Sequence, residues 1–599
     1  MAPDDSRSTP ARLTAPATVK LPRLFLLVLG VVYIFAGLFF RDPWKTDDVV
    51  GLATMLTALH GPGHALLLPQ IGALAHAQDG PLPMWVGAFS IWLFSPIFEI
   101  FTTKLDAAIV ASRLPNLLWF GLLTSSVWYG AYLLGRRPEP QPLALPFGGE
   151  PTVRDYGRMI ADAALLLIVA TVGILWRMHE TSEVPALIAF QALAFYAVAR
   201  MLDRPVSGAI TLGIALAAAF STRGWIGSLP IMLAIPFIFT PRGALWPSKH
   251  WLIVTAVVAI SLVLLWWIPA NRIGDYWMRN WWLWNTRSFT WPHLETTLST
   301  LRDLSWFLWP TWPFALLALW RWRSWLAAPH IGIPFMFALW PLLEMLFLAE
   351  PFEPEYSLMA VPAAVLAAFA LPTLRRGVVN SLDWFAVMCF TLTAAAAWLG
   401  WIALQIGWPE QIAHNIARQT TGYVAHVAWG AVFIALAGTA AWLALVRWRL
   451  RSKPAALWRG TVLSAGGLIV TWLLLVTLWM PAIDYVRSYR TVSAQLDQAL
   501  KTYKEPGECV RAQGLGTGQR ASFLVFDRIN FTYDPKCTLI LQQTSPQSAA
   551  AGTAPYSDYA QVLWQGKRGA DRREIFRLLR VGNTNSTKTS ASPLYPAIH

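Results

Sequence analysis

Two adjacent carboxylates, Asp47 and Asp48, close the run Arg41-Asp42-Pro43-Trp44-Lys45-Thr46-Asp47-Asp48, which follows one apolar stretch and precedes another from Val49 to Leu59. A pair of acids at the mouth of a membrane helix is costly unless it is solvated, paired or used. One reading is structural: Thr46 or Asp47 caps a helix beginning near Val49, where the helix dipole favours negative charge. The other is chemical: one of the acids is a general base that takes a proton from a hydroxyl or amine acceptor at the membrane surface, a contribution of about 10²–10⁴-fold. Partial burial beside a second acid raises a carboxyl pKa toward that task. The two readings do not exclude each other.

The run Arg177-Met178-His179-Glu180-Thr181-Ser182-Glu183 brings a second acid, Glu180, to the same face, although polar turns between spans are ordinary. Cations able to hold a phosphate there are Lys45, Arg113, Arg223, Arg272, Arg279 and Arg287. Arg113 and Arg223 stand out because they sit at outward helix ends, against the usual charge bias; snorkelling to lipid head groups is their alternative role. His60, His64 and His76 follow the acidic pair, and His60 and His64 are secondary candidates for holding a divalent metal with a carboxylate. No H-E-x-x-H motif is present, so interfacial polar residues are their default reading. The chain also lacks a G-x-x-x-x-G-K-[ST] loop, zinc-knuckle cysteine spacing and a G-x-S-x-G elbow, which counts against ATP-driven transport and serine hydrolysis.

The elements that position these residues must be membrane helices. Of 599 residues, 55% are hydrophobic and 13% charged, with a mean hydropathy of +0.45, more apolar surface than a soluble core can hide. The 34 Trp suit the head-group zone, where an indole can bury its ring and wet its N–H. Lys and Arg number 47 against 33 Asp and Glu, a surplus explained by topology rather than by nucleic acid. Apolar runs long enough to cross lie near 24–40, 113–134, 159–177, 184–201, 206–221, 225–240, 251–269, 305–320, 330–348, 357–374, 384–404, 424–446 and 461–481. The expected fold is therefore an all-α polytopic membrane protein of about thirteen spans with a small α/β extracytoplasmic domain at its C-terminus.

With residues 1–22 cytoplasmic, the inner loops hold Arg136, Arg137, Arg204, Arg242, Lys249, Arg321, Arg323, Arg375, Arg376, Arg447, Arg449, Arg451 and Lys453. The transmembrane domain then covers 23–482, and the first outward loop, 41–112, carries interfacial helices, among them the short Pro-flanked segment from Met84 to Phe101. The tail, 483–582, lies outside, and 583–599 is polar and expected to be disordered. Cys509 and Cys537 can form a disulfide if the tail faces an oxidising space; Cys389 lies in an apolar run.

These residues resemble a family. Pro43-Trp44-Lys45-Thr46-Asp47-Asp48 after a membrane helix is similar to the first outward loop of lipid-linked-sugar glycosyltransferases of the protein O-mannosyltransferase and aminoarabinose transferase group, of GT-C fold, where the motif is typically Asp-Glu. Asp79-Gly80-Pro81-Leu82-Pro83-Met84-Trp85 resembles the family's Lys-Pro-Pro-Leu-x-Tyr-Trp, and Ala111-Ser112-Arg113-Leu114-Pro115 its Ala-Ala-Arg-Leu-Pro. Ala219-Phe220-Ser221-Thr222-Arg223-Gly224, Glu355-Tyr356 through Pro362, and Asp484 through Arg490 follow in the family's order. The resemblance implies an inverting transfer from a polyprenyl-phosphate (undecaprenyl-phosphate) sugar to a lipid A-like or other membrane-proximal acceptor at the periplasmic face of a bacterial inner membrane. It gives Asp47, with Asp48 beside it, the role of catalytic acid of the first loop, and Glu180 that of the second-loop acid. The donor needs neither nucleotide nor ATP. The chain departs from the pattern at Asp79, where the family has Lys, and at Val50 and Gly51, where it has Arg and Tyr. Lys45, Arg113 or Arg223 can replace the missing cation. A flippase of lipid-linked saccharides, and an inactive relative acting as a scaffold through its tail, are the competing readings; the first predicts ionisable groups at mid-bilayer, where only Glu344 and Asp162 are found.

Overall fold

The computed structural model describes residues 9–144, 148–241, 243–452, 455–550, 555 and 560–581. Arg242, Lys453 and the polar ending after Gly582 lie outside the described residues.

Helix α1 (Arg23–Phe35) leads into the first loop, which forms α2 (Asp47–His60), the strands β1 (Gln70–Ile71) and β2 (Leu74–Ala75), α3 (Pro81–Phe98) and α4 (Lys104–Arg113). There follow α5 (Pro115–Gly135), α6 (Val153–Val169), α7 (Val172–Arg177), α8 (Val184–Met201), α9 (Pro205–Ile238) and α10 (Leu252–Ile273). Next come α11 (Asp275–Arg287), α12 (Leu294–Phe307), α13 (Thr311–Arg321), α14 (Pro329–Phe347), α15 (Glu353–Ser357) and α16 (Ala360–Ala370). The membrane part closes with α17 (Arg376–Ile406), α18 (Glu410–Gln419), α19 (Trp429–Ser452), α20 (Ala456–Leu474) and α21 (Met480–Arg487).

Helices α8 and α16 are buried along nearly their whole length and form the centre of the bundle, against α5, α6, α9, α13 and α14. Outer helices show the reverse: α10 and α17 expose Ile253, Val257, Leu265, Phe385 and Met388, the pattern of a surface solvated by lipid.

Among the described residues, ten helices are long and apolar enough to cross a membrane, against the thirteen spans expected. Three expected spans fall short for a local reason. The run 24–40 yields only the 13 residues of α1, after which the chain turns and Ala36 accepts a hydrogen bond from Trp472 Nε1 at 2.6 Å. The run 159–177 is divided at Thr171 into α6 and α7, and 305–320 at Pro310 into α12 and an 11-residue α13. The runs 206–221 and 225–240 are joined in α9, but helical geometry fails at Arg223 and Gly224. A side chain at Gly227 would meet the Ala219 carbonyl at 2.6 Å, although eight residues of straight helix rise about 12 Å, so the chain folds back at that break. Conversely, α3, read as interfacial, is one of the ten by length and hydropathy. It packs through Met84, Ala88 and Ile91 with α2, α4 and a helix of the tail, and turns Phe89, Trp92 and Ile97 outward.

The tail opens with α22 (Arg490–Tyr503) and α23 (Thr517–Asp527), which pack on a four-stranded sheet of β3 (Val510–Gln513), β4 (Leu539–Thr544), β5 (Ala560–Gly566) and β6 (Ile575–Val581) in the order β3-β4-β6-β5. Strands β3 and β4 are parallel, Val510 opposite Leu539, because α23 crosses between them; β6 is antiparallel to both neighbours. Cys509 and Cys537 are disulfide-bonded, with Cα atoms 5.2 Å apart, tying the entry of β3 to that of β4.

Candidate active site

The first turn of α2 places its two acids in opposite surroundings. Thr46 takes the cap position but makes no capping side-chain bond; its hydroxyl donates to Glu180 Oε1 at 3.2 Å. Asp48 is fully buried. Its Oδ2 accepts from Arg41 Nη1 at 2.6 Å and Arg113 Nη2 at 3.2 Å, and its Oδ1 from the Thr181 N–H at 2.6 Å. Burial pushes the Asp48 carboxyl up, but the Arg41 and Arg113 charges and the Thr181 N–H together hold it below the usual carboxylate range. Asp48 thus joins the segment after α1, α2, α4 and the loop after α7. Arg113 is buried and faces Asp48 and the carbonyls of Leu38 and Arg41.

Asp47 is partly exposed, with a side-chain accessibility of 37%, and one oxygen accepts from Arg177 Nη1 at 3.0 Å. Arg177 is shared: Nη1 also donates to Glu180 at 2.6 Å and Nε to Glu353 at 2.6 Å. Glu180, fully buried, accepts from Trp176 Nε1 at 2.6 Å as well. Burial raises the Glu180 carboxyl to about 7; Arg177 opposes this, while the Asp48 and Asp47 charges reinforce it. Close packing holds the loop: a Cβ on Gly51 of α2 would lie 1.8 Å from the Thr181 carbonyl, so only glycine lets the Glu180 loop seat against the helix.

A second arginine organises the neighbouring cluster. At the α9 break, Arg223 Nη1 donates to Asp79 at 2.6 Å and Glu183 at 3.0 Å, Nη2 to Glu355 at 2.9 Å, and the guanidinium lies 5.1 Å from the Trp284 ring centre. Its Nε is buried with no hydrogen-bond partner among the described residues. The break depends on Gly224, whose φ of +60° and contact with Asn285 Oδ1 admit no side chain. Asp79, which replaces the lysine of the resembled motif, also receives His76 Nε2 at 2.9 Å. Burial would raise its carboxyl, but Arg223 and His76 bring it down to about 2. Burial, with the Asp79 charge added, drives Glu183 well above the usual carboxyl range against the pull of Arg223.

The other expected cations lie apart. Lys45 Nζ pairs with Glu574 of the tail, and burial followed by the Arg568 charge lowers its pKa. Arg272 is exposed at the end of α10. His60 and His64 are exposed, and no group of three or more His, Cys, Asp or Glu side chains among the described residues is arranged to hold a metal ion. Sequence reasoning passed over Arg41, Arg177, Glu353 and Glu355. Arg177 lies three residues before Glu180, a same-face helical spacing that signals the pair; Arg41 and Glu355 stand in runs noted above without a role, and nothing local marks Glu353.

A cavity of about 1370 Å³ opens beside this constellation, lined by Trp44, Thr46, Trp176, Arg177 and Glu180 and by residues of α12 and α15. A second, of about 500 Å³, is almost wholly apolar and runs between α9 and α10 from Phe220 and Trp225, next to Arg223.

A mostly helical multi-pass bundle with acids and arginines gathered at one face and a small α/β tail defines the class: a membrane protein of GT-C-like architecture. Among solved structures the chain shares the fold of ArnT from Cupriavidus metallidurans. The TM-score is 0.61 at 16% identity for the apo state, covering 93% of this chain and 97% of that one. For ArnT bound to undecaprenyl phosphate it is 0.61 at 15% identity, covering 94% and 99%. The archaeal oligosaccharyltransferase AglB from Archaeoglobus fulgidus reaches 0.42 at 9% identity over 94% of this chain and 74% of that one, too weak a likeness to carry an argument. No family model and no curated protein matches the chain.

Proposed function

We propose that this protein is an inverting glycosyltransferase that moves a sugar from a polyprenyl-phosphate donor to a lipid A-like or other acceptor at the periplasmic face of a bacterial inner membrane. The observation that carries this reading is Asp47, accessible and oriented by Arg177, between two arginine-centred clusters on a fold shared with a protein that binds undecaprenyl phosphate. In the transfer, an acceptor oxygen or amine attacks the anomeric carbon as the bond from that carbon to the phosphate oxygen breaks. The electron pair leaves with polyprenyl phosphate, and the acceptor proton passes to Asp47. Arg223 holds the leaving phosphate by exchanging a carboxylate on its fork for a phosphate oxygen, one charge-assisted contact replacing another. The apolar groove between α9 and α10 takes the isoprenoid chain.

Steady-state transfer assays in lipid nanodiscs test this. Asp47→Asn is expected to abolish transfer with folding intact; retained transfer removes the base assignment. Arg223→Ala is expected to raise the donor KM more than the acceptor KM, and an unchanged donor KM removes the phosphate role.

A further inference from the structure

The larger cavity has a wall that the chemistry above does not use. Helix α12 presents Thr296, Ser299, Thr300, Asp303 and Trp306 to it, at spacings of one, three or four residues, so hydroxyls, an acid and an indole share one helix face. Trp306 is 74% exposed and makes no ring contact among the described residues, so its flat face is open. Asp303 is half exposed and is paired with its neighbour Arg302, at 2.8 Å. Trp44 and Trp176 also line the cavity, stacked with 4.5 Å between ring centres.

The charge of the lining is one-sided. Glu180, Asp303, Glu350 and Glu353 line the cavity with Arg177 and Arg487; Arg302 pairs with Asp303, and Asp47 adds a further carboxylate on Arg177. Arg177 already meets Asp47, Glu180 and Glu353, and Arg487 lies 4.8 Å from the Trp44 ring centre. An added anion meets surplus carboxylate here. Sugar rings present apolar C–H faces that stack on indoles and rows of hydroxyls that bond to Thr, Ser and Asp oxygens.

We infer that this wall is the acceptor subsite, and that it takes a saccharide free of phosphate and carboxylate near its reacting end, which narrows the acceptor proposed above to one without lipid A phosphates, with Trp306 as the stacking platform and Asp303 as a hydrogen-bond partner. The word acceptor rests on the proposed transferase reading; the saccharide site itself does not.

Binding in nanodiscs tests the site without turnover. The probes are a neutral diglucosyl diacylglycerol and a bisphosphorylated, acylated glucosamine disaccharide. The neutral lipid is expected to bind at least about tenfold more tightly than the phosphorylated one. Trp306→Ala is expected to weaken neutral-lipid binding about tenfold, Trp306→Phe to restore part of it, and Asp303→Asn to narrow the gap between the lipids. Tighter binding of the phosphorylated lipid, or full neutral-lipid binding by Trp306→Ala, overturns the inference. Absence of sugar transfer with Trp306-dependent neutral-lipid binding intact would instead remove the transferase reading and leave the saccharide site standing.

Discussion

Asp47 and Asp48 are the same residue type one position apart, and burial together with different partners, Arg41, Arg113 and the Thr181 N–H for Asp48 and Arg177 for Asp47, separates their roles. Removing the Asp48 charge strands Arg41 and Arg113, so Asp48→Asn is expected to cost about 3–5 kcal/mol and to show as a lowered thermal midpoint, whereas Asp47→Asn leaves that midpoint near wild type. Glu180 adds a pH dependence. Its folded-state pKa of about 7 lies above its ordinary value of 4.5, so between those values the folded protein holds a proton that the unfolded chain has released. Stability therefore falls as pH rises through this window; Glu180→Gln is expected to flatten that slope, read as thermal midpoints across it. The acidic pair and Glu180 were legible in the sequence because short polar runs between apolar ones stand out. Which carboxylate is enclosed was not, because Arg113 and Thr181 arrive from distant parts of the chain.

At the scale of elements, contact between α2 and the loop after α7 sets the geometry of the site. Gly51→Ala forces a methyl against the Thr181 carbonyl, and the loop must move to admit it. The expected result is a loss of transfer of at least about tenfold with lowered stability, since small displacements of catalytic groups are costly; unchanged activity would show that the loop's seat is immaterial. The break at Thr222-Arg223-Gly224 was readable as a gap between two apolar runs. The divisions at Thr171 and Pro310 were not, since a hydropathy window averages across a turn that interrupts it. For the same reason a window cannot distinguish a helix that crosses lipid from one that, like α3, packs with α2, α4 and α23.

Over the whole molecule, the tail is docked rather than tethered. Glu574 holds Lys45, two residues from Asp47; Arg490 holds Asp42 at 2.6 Å and Asp106 at 2.6 Å; Ala521 and Val525 of α23 join the core of α2 and α3. Lys45→Glu is expected to depress kcat by setting like charges together, and Glu574→Lys in the same chain to recover most of it; failure of the double variant would dismiss the tail as a brace for the first loop. The tail was legible as an α/β module from its alternating strands, whereas its docking depends on pairs more than 380 residues apart in sequence, such as Asp106–Arg490 and Lys45–Glu574.

The groove between α9 and α10 includes Met232, Ile260, Leu264 and Trp282, all exposed on the lipid-facing surface. On the proposed transferase reading, a long isoprenoid seated there reaches Arg223 by lateral diffusion and never crosses water. Its encounter rate is governed by its mole fraction among the surrounding lipids, so diluting the bilayer with inert phospholipid slows turnover even when the bulk amount of that substrate is unchanged.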